Sequence, residues 1–455
     1  MGSNRSEQIR SSAALGDPGP GIRRDERNSA VRDKLPDRSY TNTSDFGGST
    51  LPSSARRVGA GLIVLVCLTV AAIEGYDIQA FGIAAPKLVP EFGLNPAQQG
   101  WAASIAMIGL VVGAFAGGSL ADRVGRKPVL LGAIAMFGVF SLATAASHSF
   151  PVLLAARFLT GLGCGAGMPN LLAVAVEISR PERRAFTVTA MFCGFPMGGM
   201  SSALVARLAG PTLDWRTIFI VGGALPLVLL PLVFLLLPET RPEREPAADR
   251  NLLRALFGAG HAAATALLWT TCLLTAVILY LVLNWLPTLV VALGRPPSEG
   301  FAAAVAFNGA GLGAMALGAL ADRIGWRWPL TLAYAGLAAA LAALAMGASQ
   351  IVLFSAIAGL GVLGAQFVMY GVIPQFYPPH MRAAAAGSAL AFGRVGSIVG
   401  PLLAGELRNA GATPGQVFLA TVPVAILAGL AMLTLAVQAG RMGVTSATGP
   451  ALDPA

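Results

Sequence analysis

The sequence predicts an all-α membrane protein of twelve transmembrane helices, built as two six-helix pseudo-repeats. Three observations carry that expectation. Of the 455 residues, 55% are hydrophobic and only 12% charged, about half the charged share of an ordinary soluble chain. Apolar runs recur from Val58 to Gln438, and each approaches or exceeds the roughly 20 residues a helix needs to cross the hydrocarbon. Segments of the first half also return in the second. "GGSLADRVGRKP" reappears as "LGALADRIGWRWP", with Asp122 and Asp322 200 positions apart, while "GLGCGAG" from Gly161 and "EISRPERRA" from Glu177 reappear 198 positions on.

Taken in order, residues 1–57 are polar and rich in Ser, Gly, Arg and Asp. They lack the apolar core of a secretory signal and read as a disordered cytoplasmic tail. The expected spans are 58–82, 99–121, 128–147, 151–175, 186–209 and 217–237, then 264–287, 299–321, 328–347, 351–374, 383–405 and 414–438. A polar linker at 238–263 divides them into an N-terminal bundle, 58–237, and a C-terminal bundle, 264–438, and residues 439–455 form a short tail. Duplicated bundles around a midplane site are the architecture of alternating-access transporters.

The net charge of +9 does not indicate nucleic acid, because the basic residues gather in short links between spans. Links after even-numbered spans carry Arg123, Arg126, Lys127, Arg180, Arg183, Arg184, Arg323 and Arg382, whereas the other side shows few, such as Lys87 and Arg207. The positive-inside rule therefore places the even links, and with twelve spans both termini, in the cytoplasm. A multi-pass protein of the cell inner membrane follows, with the lipid bilayer as its partner and a monomer as its working unit. Cys67, Cys164, Cys193 and Cys272 lie inside apolar segments without metal or disulfide spacing. His148, His261 and His380 are isolated, so neither a metal site, a cofactor nor a catalytic constellation is expected.

Charges inside the spans mark function by default, because they are expensive there. Glu74 and Asp77 stand three residues apart in the first span, on a shared helical face, and counting from Val58 sets them in its outer half. Arg157 in the fourth span reaches a similar depth. Burial penalises a charged carboxylate while a nearby guanidinium favours it. Two crowded acids facing Arg157 are thus suited to taking up and releasing protons, with an anionic substrate competing for the arginine. The alternative is an ion pair that only joins two helices. Arg394, near the middle of the eleventh span, offers a planar fork that can hold a carboxylate. It is the first candidate for substrate binding and Arg157 the second. Backbone carbonyls or a helix end are the alternative partners for Arg394. Tyr76, Asn284 and Gln366 are further polar groups able to grip an aromatic acid or its hydroxyl.

Gly118, Asp122, Arg123, Gly125, Arg126 and Lys127 match G-x-x-x-D-R-x-G-R-K, the loop signature of the major facilitator superfamily, which the chain resembles. The second copy keeps Gly318, Asp322, Arg323 and Gly325, with Trp326 in place of Arg126. In this reading Gly118 and Gly125 permit a tight turn, and Asp122 caps or pairs with a neighbouring helix end to latch one conformation. Glu177, Arg184 and Arg382 belong to the same cytoplasmic gate.

"EGYD" in the first span, "RFLTGLGCGAGMPN", "TAMFCGFPMGG", "GAQ" and "YPPHMRAAAAGSALAFGRVGSIVGPLLAG" together resemble the aromatic acid:proton symporter family, whose first helix carries D-G-F/Y-D. Glu74 replaces the first Asp of that pair, one methylene longer. The resemblance implies import of a small aromatic carboxylate with protons, Glu74 and Asp77 being the proton-coupling groups. It also places the first and fourth helices along the cavity. Proton-driven export and a receptor that binds an acid without moving it are the competing readings.

Overall fold

A computed structural model describes residues 60–178, 184–212, 214–237, 256–258, 261–378 and 381–441. The expected tail at 1–57 lies outside the described residues, as do most of the linker at 238–263 and nearly all of the tail at 439–455. Among the described residues, fourteen α-helices of more than two turns follow one another: α1 (Ala60–Phe92), α2 (Pro96–Val124), α3 (Arg126–Ala145), α4 (Phe150–Ile178), α5 (Arg184–Phe192), α6 (Gly194–Ala209), α7 (Trp215–Leu236), α8 (Ala262–Ala292), α9 (Pro297–Gly311), α10 (Ala314–Ile324), α11 (Arg327–Ala345), α12 (Ile351–Val372), α13 (Arg382–Asn409) and α14 (Pro414–Arg441). Among the described residues, eleven stretches are long and apolar enough to cross a membrane. The expected fifth span is the exception. It is broken at Cys193 into α5 and α6, just before "GFPMGG", where a proline and three glycines weaken continuous helix. The expected eighth span is interrupted similarly between α9 and α10 at Leu312 and Gly313.

Packing repeats as the sequence does. The neighbours of α1, α2, α3 and α4 are α6 and α7, α4, α7 and α3; those of α8, α9, α11 and α12 are α13 and α14, α12, α14 and α11. Close approach rests on small residues. Gly109, Gly113 and Gly117 recur every fourth position on α2, Gly161 and Gly165 do so on α4, and a β-carbon at any of them would collide with the facing helix backbone. Without a hydrophobic drive between helices in lipid, such close backbone contact supplies the packing energy.

The two halves meet through α1 with α8, α2 with α13 and α6 with α9. Several of these contacts lie toward the end where α1 turns into α2 and α13 into α14. Gln99 Nε2 donates to Thr288 Oγ1 at 3.2 Å and Ser104 Oγ to the Ile398 carbonyl at 2.8 Å, while a β-carbon at Gly100 would press on the Pro401 carbonyl at 3.0 Å. At the other end, Asp122, Arg123, Asp322, Arg323 and Arg382 are exposed.

Three expectations need correction here. The first helix does not stop at residue 82 but runs to Phe92, carrying Pro86 and Pro90 inside it, because transmembrane helices accommodate proline. Glu74 and Asp77 consequently sit about 21 and 26 Å along a helix of about 50 Å, in its middle and not its outer half. Gly118 makes no turn. It lies inside α2 with nothing within 4 Å of the β-carbon it lacks, whereas Gly125, at φ 99°, turns the chain from α2 into α3. Gly325, at φ 85°, does the same after α10. Asp122 neither caps a helix nor pairs with a cation among the described residues in this conformation.

Candidate functional site

Between the two sets of helices lies a cleft with about 830 Å³ of empty space, counting the part open toward solvent. Gly75, Ile78 and Gln79 of α1 form part of one wall, together with Phe192 and Phe195 on either side of the α5–α6 break. Tyr280 of α8, Asn308 of α9, Gln366, Phe367 and Tyr370 of α12, and Arg394 of α13 face them. Each half therefore contributes residues to the cleft.

Aromatic rings dominate this lining. The Phe192 ring lies 6.0 Å from that of Phe195 and 6.5 Å from each of Phe367 and Tyr370, distances at which offset and edge contacts are favourable. Phe192, the last residue of α5, thereby meets α12. A flat apolar body fits such a surface, and Arg394 supplies a cation beside it. Its guanidinium is half-buried, approaches the Tyr280 hydroxyl at 3.5 Å, and has no carboxylate partner among the described residues.

Gln79 and Asn308 hold α1 to α9 across the halves by a reciprocal pair of amide hydrogen bonds. Gln79 Nε2 donates to Asn308 Oδ1 at 2.9 Å and Asn308 Nδ2 to Gln79 Oε1 at 3.0 Å. Asn308 Nδ2 also donates to the Ala304 carbonyl at 2.8 Å. Both side chains are buried.

A second polar centre lies inside the first half. Arg157 Nη1 contacts both oxygens of Asp77, at 3.2 and 3.0 Å, and this ion pair is sealed, with side-chain exposures of 1% and 3%. Ser141 Oγ lies 3.3 Å from the same carboxylate, and the Phe219 ring packs 5.5 Å from the guanidinium. At about 100° per residue, Asp77 projects almost opposite to Gly75 and Gln79, away from the cleft. Glu74 occupies the flank. It lines a separate, largely apolar pocket with Ile73, Ala133, Phe137, Cys164 and Pro226. Its Oε1 has no hydrogen-bond partner, and it lies within electrostatic reach of both Arg394 and Asp77.

The residues singled out from sequence thus fall into separate groups. Arg394 and Gln366 come together in the cleft, and Arg157 meets Asp77. Contrary to expectation, Arg157, Tyr76 and Asn284 do not line the cleft: Arg157 is committed to Asp77, Tyr76 is buried with its hydroxyl unpartnered, and Asn284 donates to the Tyr280 carbonyl at 2.9 Å. Nor do Glu74 and Asp77 line the cleft with Arg394: Asp77 projects away from it into the ion pair with Arg157, and Glu74 lines the separate apolar pocket on the flank. Gly118, Asp122, Arg123, Gly125, Arg126, Asp322, Arg323 and Arg382 lie at the end carrying the basic links, where Arg382 Nε donates to the Tyr377 carbonyl at 3.2 Å. The side chains of Glu177 and Arg184 lie outside the described residues. Sequence reasoning missed Gln79, Phe192 and Phe367. Gln79 carried a readable signal, a polar residue mid-span beside two acids. The phenylalanines carried none, since apolar residues inside an apolar span look alike.

A membrane-embedded helical repeat, sealed across its halves toward one end and enclosing a mid-bundle cleft, is the architecture of a secondary transporter. The comparisons agree. The family model of the Major Facilitator Superfamily matches residues 67–401 and 292–451, and the chain belongs to that superfamily of transporters. It is 42% identical over 388 residues to the 3-(3-hydroxy-phenyl)propionate transporter of Escherichia coli (strain K12), covering 84% of this chain and 95% of that one. The 4-hydroxybenzoate transporter PcaK of Pseudomonas aeruginosa is 35% identical, over 82% of this chain and 91% of its own length. The gallate transporter of Pseudomonas putida is 33% identical, over 77% and 86%. Among solved structures, a bacterial homologue of the human lysosomal transporter Spinster, inward-facing and occupied, superposes with a TM-score of 0.67 at 17% identity, over 88% of this chain and all of that one. A D-xylose–proton symporter gives 0.66 at 16%, over 82% and 96%.

Proposed function

We propose that this chain imports a small aromatic carboxylate, of the benzoate and hydroxybenzoate type, together with protons across the inner membrane by alternating access. The observation that carries this reading is Arg394, a cation without a carboxylate of its own among the described residues, set in a cleft walled by aromatic rings. An aromatic acid complements both features, its ring against Phe192, Phe195 and Phe367 and its carboxylate on the guanidinium fork. The names of the similar transporters support the same substrate class.

Coupling follows from where Glu74 stands. A substrate anion on Arg394 offsets the positive field that favours an ionised Glu74, so anion binding favours proton binding. Linkage makes the effect reciprocal, so a protonated Glu74 strengthens anion binding by the same factor. Proton and substrate then enter together, as symport requires. Asp77 and Arg157 hold the interior of the first half beside this site, the alternative sequence reading of the ion pair.

Alternating access in this reading rocks the bundle 58–237 against the bundle 264–438. The basic links mark the cytoplasmic face and with it both termini. Gly118, Asp122, Arg123, Gly125, Arg126, Asp322, Arg323, Glu177, Arg184 and Arg382 form the gate there. The working unit is a monomer, since each chain carries a whole cleft.

The test is uptake of labelled hydroxybenzoate into proteoliposomes with an imposed proton gradient. Wild-type protein should accumulate the acid, and a protonophore should abolish accumulation. Arg394→Lys should raise the half-saturating concentration by about 10- to 100-fold, the weight of a charge-assisted hydrogen bond. Normal affinity in a correctly inserted Arg394→Lys protein would remove Arg394 from the binding role.

A further inference from the structure

The polar groups of the cleft differ in what they still lack. Gln79 and Asn308 spend their amides on one another. Tyr280 turns its hydroxyl toward Arg394. Gln366 differs, because its Nε2 donates to the Tyr370 hydroxyl one helical turn on while its Oε1 is shut off from solvent with no hydrogen-bond partner. The residue is 7% exposed and lines the same cleft as Arg394. A buried amide oxygen without a donor is costly, and it persists where something that binds supplies the missing donor.

We infer that Gln366 selects a ring hydroxyl, so that the substrates of this transporter are hydroxylated aromatic acids and their unsubstituted parents are discriminated against. The inference rests on the proposed carriage of aromatic acids and narrows it. Arg394 takes the carboxylate, Phe192 and Phe367 flank the ring, and the phenolic O–H donates to Gln366 Oε1 after a small rotation of the Gln366–Tyr370 pair. Were the amide turned over, its N–H would instead face the ligand, and a hydroxyl could accept from it; the same substituent satisfies both orientations. An unsubstituted ring satisfies neither. A site that hydrogen-bonds a hydroxyl rejects the analogue lacking it more strongly than an apolar pocket separates similar sizes.

Competition against labelled hydroxybenzoate in proteoliposomes provides the test, using benzoate and its three monohydroxy isomers, and 3-phenylpropionate with its ring-hydroxylated forms. Wild-type protein should prefer at least one hydroxylated acid in a series over its parent by roughly 10-fold or more. Gln366→Met should lose that preference, with correct folding checked by its size-exclusion profile and melting temperature in detergent. Gln366→Asn, which withdraws the amide by one methylene, should also lose it. Equal wild-type binding of hydroxylated and parent acids overturns this inference alone, as does a Gln366→Met protein with unchanged discrimination. Failure of every aromatic acid to be bound or carried overturns the transport reading, and this inference with it.

Discussion

Replacing Asp77 by Asn keeps size and shape and removes one charge, and its effect can be worked from the geometry. Arg157 contacts both oxygens of Asp77 at about 3 Å with almost no solvent access. Two unit charges that close attract by about 5 kcal/mol at an effective dielectric near 20. The asparagine would leave Arg157 with a neutral acceptor, a ring face at 5.5 Å and an Nε that already lacks a partner. Breaking a buried pair from one side costs about 3–5 kcal/mol, whereas removing both partners costs far less. Asp77→Asn should therefore be strongly destabilised, and Asp77→Asn with Arg157→Met should regain more than half of the loss. Thermal unfolding in detergent of proteins carrying Cys193→Ser, followed with a thiol-reactive dye, measures this, since Cys67, Cys164 and Cys272 are buried whereas Cys193 is partly exposed. An Asp77→Asn protein within about 1 kcal/mol of wild type, or a double variant as weak as the sum of its parts, would refute the reasoning.

Glu74→Gln should behave differently although Glu74 lies only one turn away. With no ion pair to break among the described residues, it should change stability by less than about 1 kcal/mol. Wild-type affinity for an aromatic acid should strengthen as pH falls, because protonated Glu74 leaves Arg394 to the anion. The Glu74→Gln protein should lose both this dependence and pH-driven accumulation, while still exchanging substrate down its gradient; a persistent pH slope would argue against Glu74 as the coupled group. Gly198→Ala should cost stability, since its β-carbon would strike the Ala72 carbonyl of α1, whereas Gly118→Ala should leave stability unchanged or raise it by up to about 1 kcal/mol through helix propensity. Parallel melting curves would test that contrast. Asn308→Ala removes the reciprocal bond to Gln79 and should shift the equilibrium away from the described conformation by about 5- to 100-fold, for two lost hydrogen bonds. Labelling of an Ile78→Cys cleft position by a membrane-impermeant maleimide from the end opposite the basic links should accelerate accordingly.

The fold was legible because its signals are long. Apolar runs and a duplicated loop motif survive an error of several residues at any boundary, and the repeated packing of α1–α7 and α8–α14 follows the duplication. The site was legible only where a residue type was out of place: Arg394, Arg157, Asp77 and Glu74 are charges in a greasy setting. Their grouping was not readable, because it depends on the rotation of each helix. Glu74 and Asp77 share a helical side broadly, yet the few tens of degrees between them decide that one stands toward Arg394 and the other meets Arg157. The break at Cys193 was equally hidden. "GFPMGG" advertises weak helix, but only the folded chain shows that Phe192, at the end of α5, meets Phe367 and Tyr370 of α12.

A single helix consequently serves both faces of the proposed coupling. Gly75, Ile78 and Gln79 of α1 belong to the cleft, Asp77 to the interior ion pair, and Glu74 to the flank between them. Gln79 also ties α1 to α9 in the other half. In the proposed scheme a change in charge at Glu74 would act on Arg394 through the field, five residues from the Gln79 tie to the other half. Direct competition between substrate and proton for Arg157 is unnecessary, and the burial of Arg157 excludes it in this conformation. The separation has a chemical advantage. Were the proton carried on Arg394's own substrate site, a weak acid entering in protonated form would be indistinguishable from its anion plus a proton. In the proposed scheme, with the proton held on Glu74, charge complementarity on Arg394 would still demand the anion, and the gradient would be used only when both sites are filled.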